Sequence, residues 1–195
     1  MTSHKFVVSL QGEFIRLILV IESDAEYIYK LRTSKSAEFL NCPPNYSIES
    51  QRGWIKTRPS TEINYMIFRN DTFMPVGMIG IYDCDWTNGV SNVGRLILED
   101  QYVQKGSPYG LEALKICYGY VFNEMGFRKI SGTINTKNDK VYRLQTYLGM
   151  TDEGCFKDHV LLNGEPQSLH FLSLFKEDFK TYSDNIDKLL DKYRK

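Results

Sequence analysis

Residues 95–126 read RLILEDQYVQKGSPYGLEALKICYGYVFNEMG. Leu96, Ile97 and Leu98 form a short apolar run of the strand type. Gln104 to Gly110 then carries Gly106, Pro108 and Gly110, the chemistry of a turn. Beyond it Leu111, Leu114, Tyr118, Val121 and Met125 recur at helical spacing, and Gly126 stands where a C-terminal cap belongs. Pro108 suits an early helical position, where its missing N–H is no loss. The stretch predicts a strand, a small-residue loop and a long helix. Free backbone N–H groups and the positive end of the helix dipole meet at that loop, which suits it to phosphate.

A chain of 195 residues is expected to form one domain, 1–195, with a sizeable core. Lys plus Arg and Asp plus Glu both number 24, so no global basic field points to nucleic acid or to an anionic membrane. The 13 Tyr and 11 Phe argue against disorder and supply walls for a cleft. Cys42, Cys84, Cys117 and Cys155 are scattered, which favours reduced thiols in a cytoplasmic protein over a disulfide scaffold or a zinc site. Phe6 to Leu10 is too short an apolar stretch for a signal peptide or a membrane span.

Taken in order, Phe14 to Val20 reads as a strand, and Ser23 with Glu26 matches a capping box for the helix of Ile28, Leu31 and Arg32. Residues 41–45, NCPPN, form a loop by composition. Ser47 is placed to cap a second helix through Trp54 and Ile55, stopped before Pro59. Ile63 to Phe68 and Val76 to Tyr82 are apolar strands about an Asn70-Asp71 turn, and Gly89 to Leu98 returns as a fourth. Asp83 and Asp85 lack a third ligand at suitable spacing and read first as turn formers, so no metal is expected. Lys129 to Ile134 is a fifth strand, followed by an amphipathic segment from Val141 to Leu148 that Gly149 ends. Residues 153–165 read as a sixth strand with an Asn163-Gly164 turn, and Gln167 to Phe175 as a seventh. Residues 176–194 are expected to add a charged surface helix to a core of about 14–179.

Lys105 to Leu114, KGSPYGLEAL, resembles the acyl-CoA-binding loop of the GCN5-related N-acetyltransferases (GNAT), Arg/Gln-x-x-Gly-x-Gly/Ala with a following Glu-Ala pair. Lys105 takes the Arg/Gln position, Pro108 the first glycine and Gly110 the second, while Glu112 and Ala113 follow. Pro108 departs from the pattern because it has no N–H to give a phosphate, and the link from Leu98 is a residue or two longer than usual. Residues 138–150, NDKVYRLQTYLGM, resemble the family's second segment, Asn-x-x-(small/apolar) continued to Gly-Phe, with Met150 in place of Phe. The order β-α-α-β-β-β-α-β-α-β-β over about residues 14–179 is also the family's. The resemblance implies a mixed α/β (α+β) fold, a central twisted mixed sheet of about seven strands flanked by helices. The tail is similar to that of the ribosomal-protein-alanine N-acetyltransferases, and Leu31-Arg32 with Trp54 to that of amino-sugar acetyltransferases.

What the resemblance implies for chemistry is acetyl transfer from acetyl-CoA to an amine. The pantetheine arm enters between the fourth and fifth strands, here Leu96, Ile97 and Leu98 facing residues 129–134, and Ile97 or Leu98 supplies an N–H to the thioester carbonyl. Gln104, Lys105, Gly106, Ser107, Pro108, Tyr109 and Gly110 are the cofactor loop. Asn138 either bonds the pantetheine or holds the helix entry, with Val141, Tyr142 and Leu144 lining or supporting the thioester site. The family's acid, a Tyr, is replaced by Gln145, which has no titratable proton. Tyr142, about one helical turn away, is the first substitute and Tyr147 the second. Asp83, Asp85 and His159 are candidate bases, with His159 preferred because imidazole titrates near neutrality; His4 and His170 carry no argument. Arg32, Phe39 and Trp54 flank the acceptor cleft. The expected acceptor is a small-molecule amine, first a nucleotide-linked amino sugar. The alternatives are a protein N-terminus and a non-catalytic acyl-CoA-binding module. A monomer or homodimer fits either.

Overall fold

The computed structural model describes residues 7–40 and 47–194. The 41–45 loop, Cys42 and His4 lie outside the described residues. Eight strands form one sheet in the order β1-β2-β3-β4-β5-β6-β8-β7. They are β1 (Ser9–Gln11), β2 (Ile15–Leu19), β3 (Ile63–Arg69), β4 (Pro75–Asp85), β5 (Val90–Leu98), β6 (Lys129–Asn135), β7 (Thr151–Leu162) and β8 (Glu165–Phe175). Strand β5 pairs with β6 in parallel, and the other neighbours are antiparallel. The short edge strand β1 was not foreseen and brings the seven expected strands to eight.

Two helices cover one face, α1 (Ala25–Arg32) and α2 (Ile48–Thr57). The other carries α4 (Tyr109–Gly119), α5 (Asp139–Leu148) and α6 (Phe179–Leu190), while α3 (Asp100–Gln104) is a single turn between β5 and α4. Side chains alternate along a strand, so sheet positions divide between two cores. Tyr65, Ile67, Ile79 and Ile81 meet Ala113, Cys117, Tyr118 and Tyr182 on one side. Met66, Met78 and Ile97 meet Ile28, Leu31 and Ile55 on the other. Burial on both faces is why β3 and β4 read as unbroken apolar runs.

Local chemistry sets the boundaries. The Ser47 hydroxyl accepts the Ser50 N–H at 3.1 Å and opens α2, and Arg58, before Pro59, is extended. The first helix departs from expectation. Asp24 rather than Ser23 stands at its N-cap, but the Asp24 carboxylate accepts the Ile21 N–H at 2.9 Å in the turn before the helix and gives α1 no side-chain cap, and Glu26 pairs with Lys30. After Gly119 the central helix widens into a π turn, with Met125 N–H bonded to Tyr120 C=O, and ends at Gly126 (φ +72°). The wide turn lets Tyr120, Val121 and Phe122 all reach the core.

The C-terminal helix is not a surface addition. Tyr182, Ile186 and Leu190 of α6 are fully buried, Lys115 of α4 pairs with Asp187 at 2.6 Å, and Asn185 donates to the Leu148 carbonyl at the end of α5. The charged residues of 176–194 signalled the exposed side of this helix, while its apolar stripe joins α4 and α5.

Candidate active site

Pairing of β5 with β6 is confined to Val90–Asn92 opposite Lys129–Ser131. Further on, β5 stays with β4 and β6 stays with β8 as far as Asn135, so the sheet opens between residues 94–98 and 132–135. The register of β4 on β5 shifts between Met78 and Gly80, and opposite that shift Arg95 sits in the left-handed region (φ +52°). This is a β-bulge, the local device that bends one strand away from a neighbour. Beyond it the Glu99 N–H donates to Val76 C=O at 2.9 Å. Because N–H directions alternate along a strand, Ile97, opposite Met78, points its N–H at β4, and Leu98 points its own into the opening. Of the two expected donors, Leu98 is the one so aimed.

The start of α4 lies over this opening. A Cβ added at Gly110 would stand 3.4 Å from a Leu98 methyl and 3.6 Å from a Leu96 methyl. The first bond of the helix runs from Glu112 N–H to Pro108 C=O at 3.0 Å, which leaves the Tyr109, Gly110 and Leu111 N–H groups without a helical acceptor. Pro108 stands just before those three groups, so its missing N–H removes none of them. The Ser107 hydroxyl oxygen is shut from solvent beside them and has no hydrogen-bond partner. The longer link from Leu98 is taken up by α3, which Lys105 closes before Gly106 turns the chain at φ +69°. Gln104 and Lys105 are exposed at its end.

Glu112 fixes that helix start to the sheet. Its buried carboxylate accepts the N–H groups of Glu13, Phe14 and Ile15 at 2.6, 2.8 and 2.9 Å. Burial pushes this carboxyl up, and the three N–H donors pull the other way. A Cβ at Gly12 would come within 2.7 Å of the Glu112 side chain, so the close approach needs glycine there.

The α5 candidates separate. Asn138 holds the helix entry, its side chain accepting Val141 N–H at 3.4 Å. Tyr142 is engaged by the two strands beyond β6. Its hydroxyl donates to Asp152 on the outermost strand β7 at 3.0 Å, and its ring stacks 4.2 Å from that of His170 on β8. His170 Nδ1 is 3.1 Å from the same carboxylate, which can only accept, so that nitrogen carries the proton. The Asp152 bond pushes the Tyr142 hydroxyl up, which opposes release of its proton. Gln145 is buried and accepts the Tyr182 hydroxyl at 2.9 Å. Tyr147 is exposed.

The expected bases lie elsewhere too. His159 is exposed on β7, stacked on Phe156 at 4.9 Å, beyond both β6 and β8 from the opening. Asp83 and Asp85 sit at the closed end, where Asp85 accepts the Thr87 and Asn88 N–H groups and Asp83 accepts from Asn92. Arg32 ends α1, and Trp54 of α2 packs with Phe68 and Leu40 on the core of Met78 and Ile97. Asp152, His170, Glu62 and Tyr182 were missed. Asp152 with Tyr142 and His170, Glu62 with Arg95, and Tyr182 with Gln145 are pairs 10 to 37 residues apart, and no motif joins them.

A parallel pair that opens beside a bulge, under the N-terminus of a helix, is an arrangement for an extended thioester and its phosphates. The family model for the acetyltransferase (GNAT) domain matches residues 15–151. The chain belongs to the GNAT acetyltransferase family. It is 23% identical over 135 residues to the SPbeta prophage-derived uncharacterized N-acetyltransferase YokL of Bacillus subtilis (strain 168), covering 69% of this chain and 74% of that protein. The GNAT fold superposes on a GCN5-related N-acetyltransferase from Brucella melitensis with a TM-score of 0.77 at 16% identity, covering 92% and 84% of the two chains. It superposes equally, TM-score 0.77 at 14% identity, on spermidine N-acetyltransferase from Vibrio cholerae in complex with CoA and spermine, covering 87% and 99%. This GNAT protein is an acetyl-CoA-dependent N-acetyltransferase that acts on an amine. Among its described residues no helix is long and apolar enough to cross a membrane.

Proposed function

We propose that this single-domain, cytoplasmic enzyme acetylates the primary amine of a small molecule that also carries an anionic group, first a nucleotide-linked amino sugar. The observation that carries the acetyl-transfer part is the opening between β5 and β6 under the start of α4. Acetyl-CoA supplies an activated thioester. The Tyr109, Gly110 and Leu111 N–H groups and the Ser107 hydroxyl are the donors for its phosphates. The Leu98 N–H faces the place where a thioester oxygen gains charge, and a fixed donor there stabilises the transition state. Nothing in this reading requires a metal.

The acceptor class rests on the α1–α2 side of the sheet. Three acids there are engaged within the chain, Glu62 with Arg95, Glu99 with Tyr27 and Gln101, and Asp100 with Ser36, while Glu38 and Glu49 are exposed. A polyamine needs unpaired acids, and of this side's described acids only Glu38 and Glu49 are left to meet one. Arg32 at the end of α1 and the Trp54 ring suit a phosphate and a sugar face instead.

Purified protein, acetyl-CoA and a thiol reagent test this against a nucleotide-linked amino sugar, spermidine and an alanine-terminated peptide. Thiol release with the sugar is the expected result, and turnover of only spermidine or only the peptide refutes the acceptor class. Acetyl-CoA at one hundred times its dissociation constant adds about 2.7 kcal/mol of stability. For a domain of this size that raises the melting temperature by roughly 5–10 °C.

A further inference from the structure

The residue that opens β5 is not a glycine. Arg95 holds φ +52° in the middle of a strand, a conformation that a side chain makes costly and that persists only where its surroundings enforce it. Two contacts do so, and a glycine makes room for them. The guanidinium forms an ion pair with the Glu62 carboxylate, just before β3. It also lies over the Tyr82 ring of β4, 4.2 Å from the centroid. Gly80 clears the way between them, because a Cβ there would stand 2.8 Å from the Asn64 side-chain oxygen and 3.7 Å from Arg95 Cδ. Glu62 is itself buried and oriented by the Asn64 amide at 2.9 Å.

We infer that the Glu62–Arg95 pair is a latch that holds the bulge of β5 in its left-handed turn and thereby aims the Leu98 N–H into the opening. Arg95 is a positioning residue on this account and acts through the backbone that follows it. Two properties separate the pair from an ordinary surface bridge. One partner is almost fully buried, so loss of the other leaves an uncompensated charge. The residue it restrains also stands within the strand segment that leaves β6, three residues before Leu98. The inference rests on the proposed role of Leu98, but the conformation of the bulge can be measured without any acceptor.

The test uses Arg95→Ala, Arg95→Gly, Glu62→Gln and the double variant Arg95→Gly with Glu62→Gln in the full chain. Glycine adopts a positive φ freely, whereas alanine does not. Arg95→Ala is expected to lower kcat about tenfold to a hundredfold, the scale of a misplacement near 1 Å. Its acetyl-CoA dissociation constant rises by less than kcat falls, because the phosphate donors stand on α4 rather than on β5. Arg95→Gly recovers most of the lost kcat. Glu62→Gln lowers kcat alone but changes nothing further beside Arg95→Gly, the coupling expected of a latch. Backbone amide shifts of Leu96 and Leu98 move in Arg95→Ala and return in Arg95→Gly. A glycine variant as inactive as the alanine variant, or an alanine variant with unmoved amides, overturns the latch. If the parent protein acetylates no amine, the proposed function fails, and the amide shifts still decide the latch.

Discussion

The Tyr182 hydroxyl donates to Oε1 of Gln145 across 2.9 Å in the middle of the core. The Tyr182 ring also stacks on Tyr118 with centroids 4.8 Å apart, so α4, α5 and α6 are joined at one point. Gln145, which the resemblance set at the position of a Tyr acid, is used here in packing.

Tyr182→Phe leaves the Gln145 oxygen buried without a donor and is expected to cost about 1–3 kcal/mol. Gln145→Tyr inserts a ring against Tyr182 and costs a similar amount, about 1–3 kcal/mol, through overpacking. Thermal denaturation reads both as a fall of roughly 2–4 °C per kcal/mol. A more active Gln145→Tyr enzyme of unchanged stability refutes the assignment.

Glu112 ties the start of α4 to the turn before β2 by accepting three N–H donors. Glu112→Ala strands those donors and should cost about 3 kcal/mol or more in urea unfolding. Glu112→Gln, which keeps one acceptor oxygen, falls between it and the parent. Both weaken acetyl-CoA binding, because the start of α4 loses its register on Leu96 and Leu98.

The two loop glycines differ. Gly106 has φ +69°, so Gly106→Ala should cost about 1 kcal/mol and weaken acetyl-CoA binding. A Cβ at Gly110 meets only ordinary contact distances, so Gly110→Ala should leave binding unchanged. Calorimetric titration with acetyl-CoA checks both, and equal losses refute the distinction.

Tyr142→Phe should retain kcat within about threefold, since a true general acid is worth about a hundredfold or more. A loss of that larger size would return the hydroxyl to the chemistry.

Asp152 gives a pH prediction. Burial opposes its charge, but the Gly154 N–H, the Tyr142 hydroxyl and His170 outweigh it and hold the carboxyl below its ordinary value of 3.8. A carboxyl lowered in the fold adds stability above its unfolded pKa and loses it as pH falls through the folded one. The parent should therefore exceed Asp152→Asn in urea midpoint at neutral pH. The difference should close below pH 3.8. A gap that persists in acid would show that the carboxylate charge is not what matters.

The sequence by itself determined the elements and their order. Apolar periodicity located β2 to β6, β8 and the long helices because burial on one or two faces imposes a period on the chain, while β7, exposed along almost all its length, was placed by the Asn163-Gly164 turn and the resemblance of the tail. Turn residues located the ends, from Ser47 to Gly126 and Gly149, because their backbone requirements are local. The loop before α4 was legible for the same reason: its free N–H groups are neighbours in sequence.

Tertiary structure alone decided which side chains meet. Tyr142 has the right spacing on α5 to serve as an acid, yet Asp152 and His170 engage it from two other strands. His159 is chemically apt but lies on the outermost strand, and α6 is charged in composition but buries Tyr182, Ile186 and Leu190. The opening itself follows from a left-handed Arg95 held by Glu62, a residue 33 positions away. Period and propensity act over a few residues. Hydrogen bonds and ion pairs depend on positions in space, which the sheet order fixes only once the whole chain has folded.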